Sequence, residues 1–359
     1  MTYKRVIFVS RLSAIGDVIM AAHAVQLLVL NGYYPVFLTA KSLKQIPESM
    51  PYLNLFVCTE KENTTQFYMQ NSEISQSEFV QFIKTLPVEN RPLFLDLQKT
   101  ARSKRAISEI KKIIKFEKYY SVPKRTLYRI FLIFLAFIFF SQRKRTKDLN
   151  LKTIQTIEDL QENSIKKIVL RDGKEFIPLK QATPFLTQNS MVACKYICLF
   201  PGASGFVKMW PKENFRDLMN LILEQTQFKI ILCGAQSEVM IGEYLDFPAN
   251  DRVVNYINQT SLTQTLNLIA NAKYVVTNDS FPAHAAEVFG IPATVLFGAT
   301  SPKFGFAPRA EYIQIEYQNL SCSPCTRHGK GKCRFSNLKC LKEIRADSVF
   351  ENMKAKINA

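Results

Sequence analysis

The chain has 359 residues, of which 47% are hydrophobic and 21% are charged, so it can fill two domain cores and is neither disordered nor fibrous. Its 47 Lys and Arg against 30 Asp and Glu give a net charge of +17, which favours anionic partners such as nucleic acid, an anionic bilayer or phosphorylated substrates. Part of this charge could serve solubility alone.

The amino-terminal residues predict a cytoplasmic protein whose mature chain begins at Met1. Arg11 and Asp17 interrupt the apolar stretch that a secretory signal would need. Reduced, buried thiols are also expected, because half of the cysteines lie in strand-like apolar runs. These are Cys58, Cys194, Cys198 and Cys233.

Apolar runs typical of strands alternate with helical periods along the whole chain. In the first half the predicted strands are KRVIFVS, YPVFLTA, LNLFVCT and RPLFLDLQ, and the helices are GDVIMAAHAVQLLVLNG and SEFVQFIKTL. In the second half the strands are KYICLF, FKIILCGAQ, RVVNYIN, KYVVTNDS and IPATVLFGATS. Its helices are WPKENFRDLMNLILEQT, a segment from Glu238, SLTQTLNLIANA and PAHAAEVFG.

This alternation predicts an α/β protein with two doubly wound, mostly parallel sheets. Residues 178–192 show neither period, so the linker is expected there, between an amino-terminal domain over 1–180 and a carboxy-terminal domain over 190–345. Residues 346–359 form a predicted helix that could return to the first domain. The two domains would face each other across a cleft that holds the ligand.

Two loops of the second half suit a diphosphate. In PGASGFVKMWP, backbone N–H groups, the Ser204 hydroxyl and the Lys208 ammonium could bind a phosphate, although a plain turn has the same composition. In VVTNDSFPAHAAEVFG, Ser280 can cap a helix whose first turn holds Pro282, and this helix N-terminus attracts anions. Asp279 would repel an anion unless it binds hydroxyl groups, so the loops together suit a nucleotide sugar.

The stretch SRLSAIGDVIMAAHAV places Asp17 at the start of a helix, where the helix dipole keeps a carboxylate ionised. There Asp17 could take a proton from an attacking hydroxyl group, or it could be an ordinary helix-capping aspartate. His23, inside the same helix, is typical of a packed side chain.

Four motifs, in the same order and across nearly the whole chain, resemble those of the bacterial ADP-heptose:lipopolysaccharide heptosyltransferase family. They are SRLSAIGDVIMAAHAV, FPGASGFVKMWPKENF, VVTNDSFPAHAAEVFGIPATVLFGATSP and the final CSPC cluster. The resemblance implies a GT-B fold of two Rossmann-like domains. It also implies metal-independent transfer of heptose from ADP-heptose, with inversion.

The resemblance also implies roles for single residues. Asp17 matches the general base of the family, Lys208 its phosphate-binding lysine, and CGAQSE the loop whose acid meets the ribose. The donor-binding residues expected from the loops and the resemblance are Ser204, Lys208, Glu238, Asp279, Ser280 and His284.

One position departs from the family, and one segment points to the acceptor. The family commonly has glycine where this chain has Phe281, whose ring could narrow the phosphate site or stack on the donor. The segment FLDLQKTARSKR resembles the acceptor side, so Arg102, Lys104 and Arg105 are expected to bind acceptor phosphates, unless they are only surface charges.

The run IFLIFLAFIFF, residues 130–140, would form a helix of about 16 Å, roughly half of a ~30 Å hydrocarbon core, so it cannot span a bilayer. Basic residues flank the run on both sides: Lys124, Arg125, Arg129, Arg143, Lys144, Arg145 and Lys147. They favour peripheral contact with the cytoplasmic leaflet of the inner membrane, where a lipid-linked acceptor would lie. A buried domain helix is the alternative.

The segment CSPCTRHGKGKCRFSNLKC, residues 322–340, has the spacing of a tetrahedral thiolate site for a structural metal. Its ligands would be Cys322, Cys325, Cys333 and Cys340. Zinc is the default ion and iron the alternative. Two disulfides would also satisfy the pattern, although a reducing cytoplasm disfavours them.

The sequence therefore predicts an inverting GT-B glycosyltransferase that moves heptose from ADP-heptose to a hydroxyl group of a lipid A/Kdo or phosphorylated inner-core acceptor. It predicts no cofactor for catalysis and no nucleic-acid partner. One alternative is a related GT-B transferase that uses another nucleotide sugar or a protein acceptor. The other is a basic nucleotide- or nucleic-acid-binding module without turnover, which only the charge of +17 supports.

Overall fold

The computed structural model describes residues 3–50, 53–60, 65–86, 91–122, 161–167, 196–246 and 250–357. These residues divide into two compact units, the first over 3–122 with 161–167 and the second over 196–357. The predicted linker at 178–192, the apolar run at 130–140 with its basic flanks, and Cys194 lie outside the described residues.

The first unit is built on a seven-stranded sheet. Its strands are β1 (Val6–Ser10), β2 (Tyr34–Ala40), β3 (Leu55–Thr59), β4 (Thr65–Met69), β5 (Ser72–Ile74), β6 (Leu93–Asp96) and β7 (Lys118–Ser121). The named helices are α1 (Ile15–Leu30), α2 (Gln45–Glu48), α3 (Gln76–Thr85) and α4 (Ala101–Ile113). The strand order is β5-β4-β3-β2-β1-β6-β7, in which β4 pairs antiparallel with both β3 and β5 and the other pairs are parallel.

The central strands of this sheet are continuous apolar runs because helices cover both faces of a doubly wound sheet. Every residue of β1, β2 and β3 is buried. Helix α1 begins after the extended residue Ala14 and ends at Leu30. Asn31 is its C-cap residue and is followed by Gly32 with φ of 78°, which suits glycine. Since β1 lies beside β6, the loops that leave these two strands are neighbours at one edge of the sheet.

The second unit is built on a six-stranded parallel sheet. Its strands are β8 (Tyr196–Phe200), β9 (Lys229–Leu232), β10 (Val253–Asn255), β11 (Tyr274–Asn278), β12 (Ala293–Phe297) and β13 (Ile313–Tyr317). The helices are α5 (Lys212–Gln225), α6 (Val239–Leu245), α7 (Leu262–Ala270), α8 (Phe281–Phe289), α9 (Lys339–Lys342) and α10 (Ala346–Ile357). The strand order β10-β9-β8-β11-β12-β13 is that of a Rossmann sheet.

The predicted carboxy-terminal helix is present as α10, but it belongs to the second unit. It packs against α5 and buries Val349, Phe350, Met353 and Ile357 in the core of that unit. The possible return of this helix to the first domain, which the sequence left open, stays a prediction. None of the helices in the described ranges combines the length and apolar character needed to cross a bilayer.

The alternating strands and helices predicted from the sequence are confirmed, whereas several edge elements were missed. Strands β4, β5, β7 and β13 lie at or near sheet edges, and their residues are mostly half-buried or exposed. Such strands carry little apolar pattern of their own and form through pairing with a neighbour. Cys58, Cys198 and Cys233 are buried and form no disulfide, as predicted, and burial raises the pKa of the Cys58 thiol to about 12.

Candidate functional site

The loops that follow β8 and β11 lie at the point where the strand order of the second sheet reverses. Strands β8 and β11 pair directly, with Phe200 opposite Thr277. The predicted phosphate loop, residues 201–210, therefore lies beside residues 278–280. In open α/β sheets this crevice outside the carboxyl ends of the strands is where ligands bind.

A buried asparagine joins the two loops. Asn278 is fully buried, and its Nδ2 donates to the carbonyl groups of Pro201 at 2.8 Å and Gly202 at 3.1 Å. Its Oδ1 accepts a hydrogen bond of 2.9 Å from the backbone N–H of Trp210. One side chain thus holds both ends of the phosphate loop. Sequence reasoning missed Asn278, although a polar side chain at the end of a buried strand is a usable signal.

The predicted phosphate-binding lysine and donor-site acid form an ion pair. Lys208 Nζ lies 2.9 Å from Asp279 Oδ2, and the two side chains are only 11% and 16% exposed. The Thr300 hydroxyl also donates to Asp279 Oδ2, at 2.7 Å. Asp279 follows β11 and Thr300 follows β12, so three successive loops of the sheet supply this cluster. Thr300 was not predicted.

The remaining polar residues of the predicted donor site differ in how they are held. Ser204 is exposed on the phosphate loop. Glu238 is 8% exposed and already accepts hydrogen bonds from Ala235 N–H and the Ser237 hydroxyl. A Cβ placed at Gly202 would lie 2.2 Å from Glu238 Cγ, so only glycine lets this acid reach the phosphate loop.

Helix α8 begins at the predicted place. Ser280 occupies the N-cap position, but its hydroxyl makes no capping hydrogen bond and lies 3.2 Å from Thr277 Oγ1 instead. The expected capping by the side chain was therefore wrong, because the hydroxyl is engaged by the preceding strand. Pro282 is in the first turn, as predicted, and His284 is buried within the helix.

The side chain of Phe281, the first residue of α8, is half-buried in the second unit. Phe281 meets Phe200 edge to face, with ring centroids 6.2 Å apart. The ring is therefore partly covered by the end of β8.

In the first unit, Asp17 lies in the first turn of α1 and is bound by an arginine. Its Oδ2 accepts hydrogen bonds from Arg11 Nη2 and from the backbone N–H of Ala14, the latter at 3.2 Å. Both contacts use the same oxygen, so within the described residues Oδ1 has no partner. Asp17 thus has the helix-capping contact that one interpretation foresaw, and it keeps one oxygen for other chemistry. Its side chain is 19% exposed, and that of His23 is packed within α1.

A network around Asp96 holds the loop that carries Arg11. Asp96 is fully buried and accepts five hydrogen bonds. The donors are the Ser10, Ser103 and Tyr119 hydroxyls and the backbone N–H groups of Gln98 and Lys99. Gln98 then accepts from Leu12 N–H at 2.8 Å and donates to the Ser13 hydroxyl at 3.0 Å. Arg11 Nη1 donates to the Leu97 carbonyl at 2.7 Å.

Two of the predicted acceptor residues line a cavity of about 270 Å³ in the first unit. Arg102 and Arg105 lie on one face of α4, three residues apart, whereas Lys104 does not line the cavity. The other polar lining residues are Thr59, Glu60, Thr65 and Glu109. Both acids are paired with lysines, Glu60 with Lys41 and Glu109 with Lys112. In the described part of the chain Arg102 and Arg105 form no ion pair.

The four cysteines of the carboxy-terminal loop lie around one small cavity. Cys322, Cys325, Cys333 and Cys340 line a space of about 20 Å³, together with Val207 and Ala299. No group of three or more His, Cys, Asp or Glu side chains that could hold a metal ion occurs within the described ranges. The thiols therefore share a cavity, and the predicted metal site stays a prediction.

The surroundings of Cys333 differ from those of the other three thiols. Burial raises the pKa of Cys322, Cys325 and Cys340. At Cys333 burial also acts to raise the pKa, but backbone N–H groups of the turn 335–338 outweigh it and hold the pKa below its usual value. Backbone amides near the sulfur therefore favour the thiolate form of Cys333.

Residues 137–335, more than half of the chain, match the family model described as glycosyltransferase family 9 (heptosyltransferase). The chain belongs to this family. A stretch is 32% identical over 109 residues to lipooligosaccharide heptosyltransferase 2 of Haemophilus influenzae. That stretch covers 29% of this chain and 31% of the relative, so the match spans about a third of its length.

Solved structures confirm the predicted GT-B fold. The chain is similar to the ADP-heptose lps heptosyltransferase II of E. coli, with a TM-score of 0.65 and 16% identity over 99% of this chain and 98% of that one. It is also similar to a bacterial iron-containing dodecameric glycosyltransferase of enterotoxigenic E. coli, with a TM-score of 0.50 and 10% identity over 100% of this chain and 77% of that one. At these identities the likeness concerns the fold alone.

Proposed function

We propose that the protein is an inverting heptosyltransferase that moves heptose from ADP-heptose to a hydroxyl group of the lipopolysaccharide inner core. The observation that carries the proposal is the Lys208–Asp279 pair at the reversal point of the second sheet, beside the N-terminus of α8. Family membership and the names of the relatives support the donor and the acceptor class.

The donor diphosphate would bind at Lys208. Its ammonium is neutralised by Asp279 in the protein alone, and a diphosphate would compete for it at the end of α8, where the helix dipole favours negative charge. Asp279, still held by Thr300, could then accept hydrogen bonds from donor hydroxyl groups. When the bond between the anomeric carbon and the phosphate oxygen breaks, its electron pair goes to that oxygen. Lys208 and the helix N-terminus would stabilise this departing ADP.

Asp17 would act as the general base on the acceptor. As the acceptor oxygen attacks the anomeric carbon, its proton passes to Oδ1 of Asp17, the oxygen without a partner in the described residues. Arg11 would hold the carboxylate in place through Oδ2. Attack from the face opposite the phosphate inverts the anomeric centre.

Asp17→Asn should lower turnover by about 10²- to 10⁴-fold, the usual range for a lost general base, while ADP affinity stays within about twofold. The asparagine oxygen can still accept the Ala14 N–H, so α1 should keep its start. Turnover is measured as ADP release from ADP-heptose with a lipid A/Kdo acceptor, and ADP affinity by isothermal titration. Near wild-type turnover in the folded variant would show that Asp17 is not the base.

We further propose that the cavity at α4 binds an anionic group of the acceptor. Its acids are already paired with lysines, so the charge left for a ligand comes from Arg102 and Arg105. Arg102 lies in the first turn of α4, where the helix dipole disfavours a cation unless an anion is bound nearby. The Thr59 and Thr65 side chains could meet the sugar hydroxyl groups.

The double variant Arg102→Ala/Arg105→Ala should raise the KM for the phosphorylated acceptor by about tenfold or more, since charge-assisted hydrogen bonds are lost, and leave the KM for ADP-heptose unchanged. Lys104→Ala is the matched control, because Lys104 lies on the same helix but does not line the cavity. Equal acceptor KM values in the double variant and the control would reject the assignment.

The cysteine loop is proposed to hold a structural zinc or iron ion. The four thiols line one cavity, and the amides around Cys333 stabilise a thiolate, so the donor set fits such an ion. The ion would order a basic loop with few apolar side chains. It takes no part in the transfer reaction, for which no cofactor is proposed.

Protein purified without chelator should contain about one zinc or iron ion per chain, as a single four-cysteine site requires. Cys322→Ser should lose the metal and lower the melting temperature, whereas Cys198→Ala, which removes a buried thiol outside the loop, should keep the metal. Elemental analysis and thermal melts measure both. Absence of metal with four titrating thiols would exclude the site, and thiols that titrate only after reduction would indicate disulfides.

Peripheral membrane contact is proposed from the sequence of residues 130–140 and their basic flanks. An apolar run too short to span a bilayer, between clusters of Lys and Arg, suits the surface of an anionic leaflet. The protein would then act at the cytoplasmic leaflet of the inner membrane.

Replacing Arg143, Lys144 and Arg145 with glutamine should reduce sedimentation with anionic vesicles and leave turnover on a soluble acceptor unchanged. Added salt should weaken vesicle binding of the wild type, since it screens exposed charge. Equal sedimentation of wild type and variant would favour a buried helix.

A further inference from the structure

A turn of the cysteine-rich loop lies directly against the stem of Lys208. A Cβ placed at Gly329 would lie 2.0 Å from Lys208 Cδ and 2.4 Å from Cγ. A Cβ placed at Gly205 would lie 1.9 Å from the Gly329 carbonyl oxygen. The cysteine-rich loop and the phosphate loop therefore approach each other so closely that only glycine fits at positions 205 and 329.

Hydrogen bonds hold this turn against the donor site from both sides. The Cys325 and Thr326 N–H groups donate to the Ala299 carbonyl at 3.0 and 3.2 Å, and the Ala299 N–H donates to the Val207 carbonyl at 3.2 Å. The Thr326 hydroxyl donates to the Lys330 carbonyl at 3.2 Å and closes the turn. Residue 299 immediately precedes Thr300, the hydroxyl donor to Asp279.

These contacts leave Lys208 little freedom. Its flexible stem is covered by Gly329, and the residue is 9% exposed. A lysine on an open surface would lose rotamer freedom on binding an anion. Here that freedom is already lost in the folded protein, and the ammonium is fixed beside Asp279.

We infer that the turn at residues 326–330 belongs to the donor site and that Gly329 in this turn positions Lys208 for the donor diphosphate. This inference rests on the proposed function of Lys208. It gives the cysteine-rich loop a role in donor affinity in addition to its own stability. Gly329 is a positioning residue, since it acts through Lys208 and contacts no reacting atom.

The test uses two glycines of the same loop. Gly329 and Gly331 both have positive φ, 72° and 101°, so alanine is disfavoured by the backbone at each. A Cβ at Gly331 would meet nothing within 4 Å, whereas one at Gly329 would displace the Lys208 stem. Gly331→Ala is therefore the matched control for backbone strain.

Gly329→Ala should weaken ADP binding about tenfold relative to Gly331→Ala, as expected for a misplaced charged hydrogen-bond donor, with adenosine binding equal in the two variants. Adenosine lacks the diphosphate and reports on general damage to the site. In the Lys208→Ala background, where no stem remains to displace, adding Gly329→Ala should change ADP affinity little. Isothermal titration measures the affinities of the four full-length variants: Gly329→Ala, Gly331→Ala, Lys208→Ala and the double variant Lys208→Ala/Gly329→Ala.

The outcomes separate the inference from the function on which it rests. Unchanged ADP affinity in Lys208→Ala would overturn the role of Lys208 itself. If Lys208→Ala weakens ADP binding but Gly329→Ala binds ADP as tightly as Gly331→Ala, the positioning role of the turn is wrong. Should Gly329→Ala fail to fold, Thr326→Val opens the turn without adding an atom against Lys208. It should weaken ADP more than adenosine, and equal affinities to wild type would overturn the inference.

Discussion

The hydrogen bonds of Asn278 are the contacts on which the proposed donor site depends. This fully buried amide ties the end of β11 to Pro201, Gly202 and Trp210, so the phosphate loop cannot move independently of the strand beside it. An apolar side chain of similar size would leave buried backbone groups without partners, at a cost of about 1–3 kcal/mol each. Asn278 thereby holds both ends of the loop that carries Lys208 opposite Asp279.

In the first unit, a buried polar side chain at a strand end also holds the neighbouring loops, but the residue is an aspartate. Asp96 ends β6 as Asn278 ends β11, and it too is fully buried and turns back on the loops around it. One of its five hydrogen bonds comes from the Gln98 N–H, and the Gln98 side chain in turn holds the loop between β1 and α1. In both units, a buried polar side chain at the end of a parallel strand holds the neighbouring loops in place. It does so because a buried polar group without hydrogen-bond partners is costly.

Both proposed reacting groups are paired with an opposite charge in the protein alone. Asp17 is held by Arg11, and Lys208 by Asp279. These pairs orient each group, and the paired side chains are only 11% to 19% exposed. The free energy needed to orient these side chains is therefore spent when the protein folds and not when substrate binds. A substrate that replaces one partner meets a group already in position. The cysteine-rich loop further restricts Lys208, since its turn covers the aliphatic stem of the lysine.

The sequence by itself determined the order of strands and helices, because each central strand is an apolar run and each helix has its own period and end signals. It also marked Asp17, Lys208 and Asp279 as candidate site residues, since each lies in the loop or first helical turn that follows such a strand. Only the tertiary structure decided what meets them. The edge strands form by pairing with a neighbour, and the partners Arg11 and Gly329 become visible only when distant loops come together. The local sequence pattern cannot predict such contacts, because they form when segments that are far apart in the chain pack together.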